Sequence, residues 1–324
     1  LVTAVFGLLR RFGLAFLLLT LSVTIAGLTL TRYASLGTTL PTPTVDRTPS
    51  PVPTPTPSPT PTPIPPPLTA RVTLVIDLTG DRVLLDQQSE LPLPPASTLK
   101  LLTALTVREL LHPEEIVTVH AEDEVDPTIE SAMGLAAGDT VTVHDLLIGL
   151  LLPSGNDAAR TLARVAGERL ATPRELPPRE RFLARMQAKA AELGLEQTIV
   201  RTPDGDDVPG QVTSARDLAQ LARAVLADSE LATIVAMREA HIRVGGPNAR
   251  ILTLTNTNEL LGHLGVIGIK TGTSPAAGQC LVAAWRTLDE RLYLAVILGS
   301  QDRYSDLRAL IAWVTAATGS APNP

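Results

Sequence analysis

The chain has 324 residues, 44% of them hydrophobic, and a formal net charge of -6. That is ample material for a globular core, and with no basic block beyond Arg10 and Arg11 it excludes nucleic acid as a partner. A single cysteine, Cys280, excludes an intramolecular disulfide and, set in AGQCLVAAW, reads as buried and structural. None of the five histidines pairs with another at metal-ligand spacing, so no metal and no cofactor are expected.

Residues 1–37 read as a short cytoplasmic tip and a membrane anchor. Within them FGLAFLLLTLSVTIAGLTL, residues 12–30, is an uncharged run close to the ~20 residues a helix needs to cross a bilayer. Arg10 and Arg11 precede it and place the amino end in the cytoplasm. The run is longer than the apolar region of a cleaved signal peptide, roughly 7–15 residues, so an uncleaved anchor is favoured over cleavage near Ala34 and Ser35. Residues 38–68 alternate proline with threonine and serine and cannot bury a core. They read as a polyproline II stalk rising about 3.1 Å per residue. The expected location is the cell membrane, single-pass, with the following domain outside the cytoplasm.

From residue 69 to 318 the pattern is globular. RVTLVIDLTGDRVLLD predicts two strands around a turn at Thr79, Gly80 and Asp81. Helical patterns follow at Val143 to Leu152, Asp157 to Leu170, Glu180 to Leu193 and Ser214 to Leu226. Strands return at Val266 to Lys270, Gln279 to Trp285 and Arg291 to Leu298, and a last helix covers Ser305 to Ala317. Strands at both ends with helices between them predict one α+β domain, a sheet flanked by helices with an inserted helical lobe. Residues 319–324 read as a disordered tail.

Between the first strands and that lobe lies PPASTLKLLTALTVRELL, Pro94 to Leu111. The two prolines disfavour helix before Ala96, and Leu101, Leu102, Leu105 and Leu110 make an apolar side after it. Ser97 therefore sits at the first turn, and Lys100, three positions on, shares its face. That is a nucleophile with a candidate base beside it. A Ser-x-x-Lys match alone is expected about once by chance in a chain this long. Lysine usage gives it weight: the 27 basic residues include only Lys100, Lys189 and Lys270, and the other 24 are arginines. Arginine stays charged in proteins, whereas a buried lysine can be neutral near pH 7 and act as a base. Lys189, on MQAKAAELG, reads as an ordinary surface residue.

Lys270 opens GIKTGTS, and between the two lysines LLLPSGNDAARTLA carries Ser154 and Asn156 at a helix start. Ser-x-x-Lys, Ser-x-Asn and Lys-Thr-Gly in this order are the trio of penicillin-binding proteins and class A β-lactamases. The chain resembles the serine-type D-alanyl-D-alanine carboxypeptidases, the low-molecular-mass penicillin-binding proteins. The likeness extends to AAGDTVTVHDLLIGLLLPSGNDAARTLA, TSARDLAQLA, TNTNELL, GVIGIKTGTSPAAGQCLVAA and LRALIAW. It implies a β-lactamase/DD-peptidase-like fold with the site between the sheet and the helical lobe. The implied partners are a peptidoglycan stem peptide ending in D-Ala-D-Ala and β-lactam inhibitors. Ser97 is then the acylated nucleophile and Lys100 its base, Ser154 relays a proton to the leaving amine, and Asn156 holds the substrate amide. Lys270 would add a second cation that favours a neutral Lys100, and Thr271 would bind the substrate carboxylate. Gly272 leaves room for a peptide beside the strand, and the backbone N–H groups of Ser97 and Thr273 would form the oxyanion hole. Arg303, about ten residues before Trp313, matches an arginine that some members use for the carboxylate; the other reading is a surface arginine.

The resemblance has departures. Thr273 stands where an aromatic residue or histidine is common, and TPDGDDVPGQVTSARD is more acidic than usual. The second β domain and carboxyl-terminal anchor of many relatives are not seen, so the amino-terminal helix is expected to serve as anchor. Within the family, endopeptidase action on cross-links remains an alternative. A β-lactamase is disfavoured by Ser154-Gly155-Asn156 in place of Ser-Asp-Asn and by the lack of a Glu-x-x-Leu-Asn loop. A penicillin-sensing module is disfavoured by the short cytoplasmic tip.

Overall fold

The structure, a computed structural model, describes residues 64–171 and 175–324. The expected anchor at residues 12–30 and most of the expected stalk lie outside them. Among the described residues no helix is long and apolar enough to cross a membrane. In chain order the elements are β1 (Val72–Asp77), β2 (Arg82–Gln87), a 3-10 turn (Ala96–Leu99), α1 (Lys100–Leu110), β3 (Ile116–Thr118) and β4 (Thr140–Thr142). Next come α2 (Val143–Leu151), α3 (Asn156–Arg169), α4 (Pro178–Glu192), α5 (Ala215–Ala227) and α6 (Ser229–Val235). The chain ends with β5 (Glu239–Val244), β6 (Arg250–Thr255), β7 (Val266–Ser274), β8 (Gly278–Arg286), β9 (Leu292–Ser300) and α7 (Arg303–Thr318).

Five strands form an antiparallel sheet in the order β2-β1-β9-β8-β7, so the two ends of the domain meet where β1 pairs with β9. Both faces are covered, and the alternation of side chains sorts the strands between two cores. Val75, Leu281, Ala283, Ala295 and Ile297 face α7 through Leu307, Leu310, Ile311 and Val314, with Trp285 stacked on Tyr293. Leu74, Ile76, Val282, Ala284, Val296 and Leu298 join the larger core shared with α1 to α6. Cys280 is fully buried on the sheet. At the edge, β2 exposes Arg82, Val83, Asp86 and Gln87, and its charges oppose pairing with another chain.

Helix ends follow capping chemistry. The Thr142 side chain accepts from the Asp145 N–H at 3.0 Å, and Ser214 accepts from Asp217 at 3.0 Å. The last helix begins two residues earlier than expected because Asp302 caps it, accepting from the N–H groups of Tyr304 and Ser305. That moves Arg303 from the preceding loop into the first turn of α7. The hairpin of β5 and β6 and the short helix α6 were not foreseen. The two strands bury only Ile242, Val244 and Leu254, too weak a period to read from sequence.

Residues 319–324 are a correction, since they do not behave as a disordered tail. Leu288 N–H donates to Ala321 O, Asn323 N–H donates to Arg286 O, and the Ser320 hydroxyl donates to Asp289 at 3.0 Å. Gly319, at φ 76°, ends α7 in the left-handed conformation that turns the chain back. At the other end, Leu68 packs against the α7 core. Thr69 gives its N–H and hydroxyl to the two oxygens of buried Asp306, each at 2.9 Å.

A chain begun at Leu68 is therefore expected to melt as one cooperative unit at the temperature of the full protein. A chain begun at Arg71 leaves the Asp306 carboxylate short of two donors and should lose about 1–3 kcal/mol. Equal melting temperatures for the two truncations, by calorimetry, would refute this boundary.

Candidate active site

The turn that carries Ser97 is held from three sides. Pro95 precedes it, Ala96 adopts φ 45°, and the Thr98 hydroxyl donates to Pro95 O at 2.6 Å. Strand β7 approaches so closely that a Cβ on Gly272 would lie 3.0 Å from Ser97 N and 3.1 Å from Thr98 N. The loop at 202–206 comes nearer still. Gly205 has φ +90°, and a Cβ there would lie 2.0 Å from Ala96 O, so only glycine fits. From this loop Pro203 O accepts from Thr103 at 2.5 Å and Asp204 O accepts from Lys100 at 2.7 Å.

Lys100 begins α1 with its side chain wholly buried. Its Nζ lies 3.0 Å from Ser97 Oγ, 2.7 Å from Asn156 Oδ1 and 2.7 Å from Asp204 O. Two of these are pure acceptors. A neutral amine has two hydrogens for them and one lone pair, and that lone pair is left facing the serine hydroxyl. Burial lowers the Lys100 pKa from 10.5 to about 8, against the opposing fields of Asp204, Asp206, Asp157 and Glu130. Desolvation by burial is the leading cause of that shift. Lys270 is itself pushed well below its usual value, first by burial and then by Lys100 and Arg303. Its Nζ donates to Thr271 O at 3.1 Å.

A cleft of about 350 Å³ opens beside the pair, with Ser97, Ser154, Thr271, Gly272, Thr273 and Arg303 on its walls together with Ser131, Thr257, Gln279 and Tyr304. Six of the nine expected site residues thus share one cavity. Ser154 stands in the turn between α2 and α3 at φ 67°, a left-handed conformation that strains a serine by about 1–3 kcal/mol. Its hydroxyl is buried without a hydrogen-bond partner, which leaves it free for a ligand in the cleft. The hydroxyls of Thr271 and Thr257 lie 2.6 Å apart. Arg303 is no surface residue. It is 9% exposed, donates to Gly272 O at 2.8 Å and Cys280 O at 2.9 Å, and also bonds the Thr273 hydroxyl and Gln279.

Asn156 departs from its expected place at the substrate amide. Its Oδ1 accepts from Lys100, and its Nδ2 donates to Glu130 at 2.9 Å and Asp206 at 3.2 Å, so the amide is committed to the lysine side. Lys100, Asn156 and Lys270 are buried beside the cleft rather than on its walls. Sequence reasoning missed Glu130, Arg160, Asp204 and Asp206. Its one signal was the acidity of the loop TPDGDDVPGQ, which read as a departure in peptide recognition. No group of three or more His, Cys, Asp or Glu side chains among the described residues could hold a metal ion.

A serine hydroxyl held by a buried amine, beside a polar cleft with an arginine and an unpartnered second serine, is an arrangement for acyl transfer through a covalent ester. The sequence profile of the D-alanyl-D-alanine carboxypeptidase family matches residues 60–301, and the chain belongs to that family. It is 34% identical over 260 residues to D-alanyl-D-alanine carboxypeptidase DacC of Escherichia coli, covering 75% of this chain and 60% of that protein. To D-alanyl-D-alanine carboxypeptidase DacB2 of Mycobacterium tuberculosis it is 35% identical over 233 residues, 71% of this chain and 75% of the other. Among solved structures, a Streptomyces DD-transpeptidase superposes with a TM-score of 0.72 at 29% identity, over 78% of this chain and 99% of that one.

Burial of Lys100 predicts how stability varies with pH. The folded pKa of about 8 lies below the unfolded value near 10.5, so between them the unfolded chain holds a proton that the folded one lacks. Stability should rise with pH across that window, by about 3 kcal/mol for a shift of this size. Lys100→Met should make the rise shallower and leave the share that Lys270, buried and depressed in the same way, contributes. Parallel melts of parent and variant between pH 7.5 and 10 that show the same slope would contradict this account.

Proposed function

We propose that the protein is a penicillin-sensitive serine D-alanyl-D-alanine carboxypeptidase that removes the terminal D-Ala from peptidoglycan stem pentapeptides. The observation that carries the reading is the fully buried Lys100 amine, 3.0 Å from Ser97 Oγ with its other two bonds made to pure acceptors. In the proposed reaction Ser97 Oγ attacks the carbonyl carbon of the penultimate D-Ala while Lys100 takes its proton. The N–H groups of Ser97 and Thr273 stabilise the oxyanion. As the C–N bond breaks, the proton held by Lys100 passes through the Ser154 hydroxyl to the leaving D-Ala nitrogen, so the amine is neutral again. Water then attacks the ester, Lys100 takes the water proton, and Ser97 recovers its own as the tetrapeptide leaves. Thr271 and Arg303 hold the terminal carboxylate, with buried Lys270 bracing the Thr271 carbonyl behind them. A β-lactam enters the same path and stays as the ester on Ser97.

The proposed location follows the substrate. Residues 12–30 would anchor the chain in the cell membrane as a single span, and residues 38–68 would carry domain 69–318 out to the wall. A second reading is supported by the likeness to a DD-transpeptidase: the same acyl-enzyme could pass to an amine, or be formed from an existing cross-link. Incubation with purified pentapeptide and with cross-linked wall fragments, read by mass, separates the outcomes. Loss of one alanine from pentapeptide supports the carboxypeptidase. Joined peptides or released dimer halves, with pentapeptide untouched, would replace it.

Lys100→Arg keeps charge and nearly keeps length, but a guanidinium cannot act as a base at neutral pH. Acylation of Ser97 by a labelled penicillin should fall about 10²- to 10⁴-fold. A folded Lys100→Arg protein acylating within a few fold of the parent would sink the mechanism. Lys189→Arg, at an ion pair with Glu109 on the surface, is the control and should change nothing measurable.

Arg303→Ala tests the carboxylate anchor. It should raise KM for a D-alanyl-D-alanine peptide with a free end more than for the same peptide amidated there, because only the former gains charge-assisted bonds. Equal effects on the two peptides would leave Arg303 with only its role of bracing Thr273 and the β7–β8 backbone.

A further inference from the structure

Behind Lys100 lies a group of charges that the reaction as written does not use. Glu130 comes from the connection between β3 and β4, Arg160 from α3, and Asp204 and Asp206 from the loop that closes on the serine turn. Arg160 Nη2 bonds Glu130 Oε2 at 2.6 Å and lies 3.9 Å from Asp206, while its Nε lies 3.7 Å from Asp204 Oδ2. Both Arg160 Nε and Asp204 Oδ2 are buried with no hydrogen-bond partner, so the arginine bonds Glu130 but holds the two aspartates by charge rather than by matched bonds. Between Glu130 and Asp206 sits the Asn156 amide nitrogen.

An amide side chain can present either end to a neighbour at little cost unless its partners choose. Here they do choose. Two carboxylates accept only, so they hold Nδ2, and Oδ1 is turned onto the Lys100 amine at 2.7 Å. The reversed amide would set an N–H against the amine and oxygen against two carboxylates, losing three hydrogen bonds at once. Asp157 fixes the loop that brings Glu130 here, accepting from Met133, Gly134 and Leu135 N–H groups at 2.9–3.0 Å.

We propose that Glu130 and Asp206 are positioning residues for the catalytic lysine, clamping the Asn156 amide so that its oxygen takes one Lys100 hydrogen and the amine lone pair stays on Ser97. The inference rests on the reading of Lys100 as base. The same carboxylates also act on Lys100 by charge. The groups that face it are Asp157 and Arg160 on α3, Glu130, and Asp204 and Asp206, with Lys270 on β7 and Arg303 on α7 beyond. The four carboxylates oppose the effect of burial on Lys100. Removing one of their charges while keeping its acceptor should therefore ease deprotonation, whereas removing the acceptors should free the amide.

The test is the second-order rate of acylation of the full chain by a labelled penicillin from pH 5 to 10. Glu130→Gln and Asp206→Asn keep an acceptor for Asn156 and remove a charge. Each should move the acidic limb of the profile down by about 0.5 unit or more, raising acylation at pH 6 about threefold. The double variant Glu130→Ala with Asp206→Ala loses the clamp and should fall about tenfold or more on the plateau. An unmoved limb in both single variants, or a parental plateau in a folded double variant, overturns the proposal. If the double variant fails to fold by thermal melt, the two single profiles decide. Lys100→Arg, run alongside, separates the failures: active Lys100→Arg removes the base reading, while inactive Lys100→Arg with parental carboxylate variants removes only this inference.

Discussion

The contact on which the rest of the site depends is the Lys100 amine in its dry socket. An amine charged and deeply buried is costly, and that cost makes it ready to lose its proton at a useful pH. The scaffold is arranged to keep the socket closed. Helix α1 is buried from Lys100 through Val107, with α5 on one side and α2, α3 and α4 on the other, while the sheet packs against α5 and against the serine turn at the start of α1. The amine is thus tied to the lobe through α1 itself and to the sheet through α5 and the serine turn. Sheet and lobe share one core.

Backbone approach does the remaining placement. Gly272 lets β7 lie against the serine turn, and Gly205 lets the acidic loop lie against the same turn from the other side. Ala96 and Ser154 take left-handed conformations that cost free energy, and both flank the cleft. The large two-sided core is what allows such strain to persist. The arrangement matches the general pattern in which strained residues gather where chemistry needs a fixed geometry.

Much of this was legible in the sequence because it depends on short-range rules. Two prolines followed by an apolar helical period placed Ser97 and Lys100 on one face, and apolar runs between turn residues located all five strands of the sheet and the closing of that sheet by the two ends of the domain. What stayed hidden depends on contacts across many residues. Asn156 was read by resemblance as facing substrate, but its partners are Glu130, 26 residues earlier, and Asp206, 50 residues later. No local period announces such a clamp. Arg303 could be a surface residue in sequence, one arginine among 24. Only the Asp302 cap and the β7–β8 carbonyls make it part of the cleft. The carboxyl-terminal residues looked disordered because their order comes from backbone pairing with the β8–β9 turn, which has no side-chain signature.

The lysine count finds its physical meaning in burial. Two of the three lysines, Lys100 and Lys270, are 0% and 1% exposed, and the third, Lys189, lies outside the core in ion pairs with Glu109 and Glu192. Arginine serves well wherever charge must be kept. Arg303 shows this on the cleft wall, where its planar group reaches two carbonyl oxygens, a hydroxyl and an amide oxygen together. It cannot serve where charge must be surrendered. A guanidinium placed at residue 100 would remain cationic and would bring five donors to a socket that offers three acceptors, leaving buried N–H groups unpaired. The choice between the two basic residues is therefore made by the protonation state each position needs.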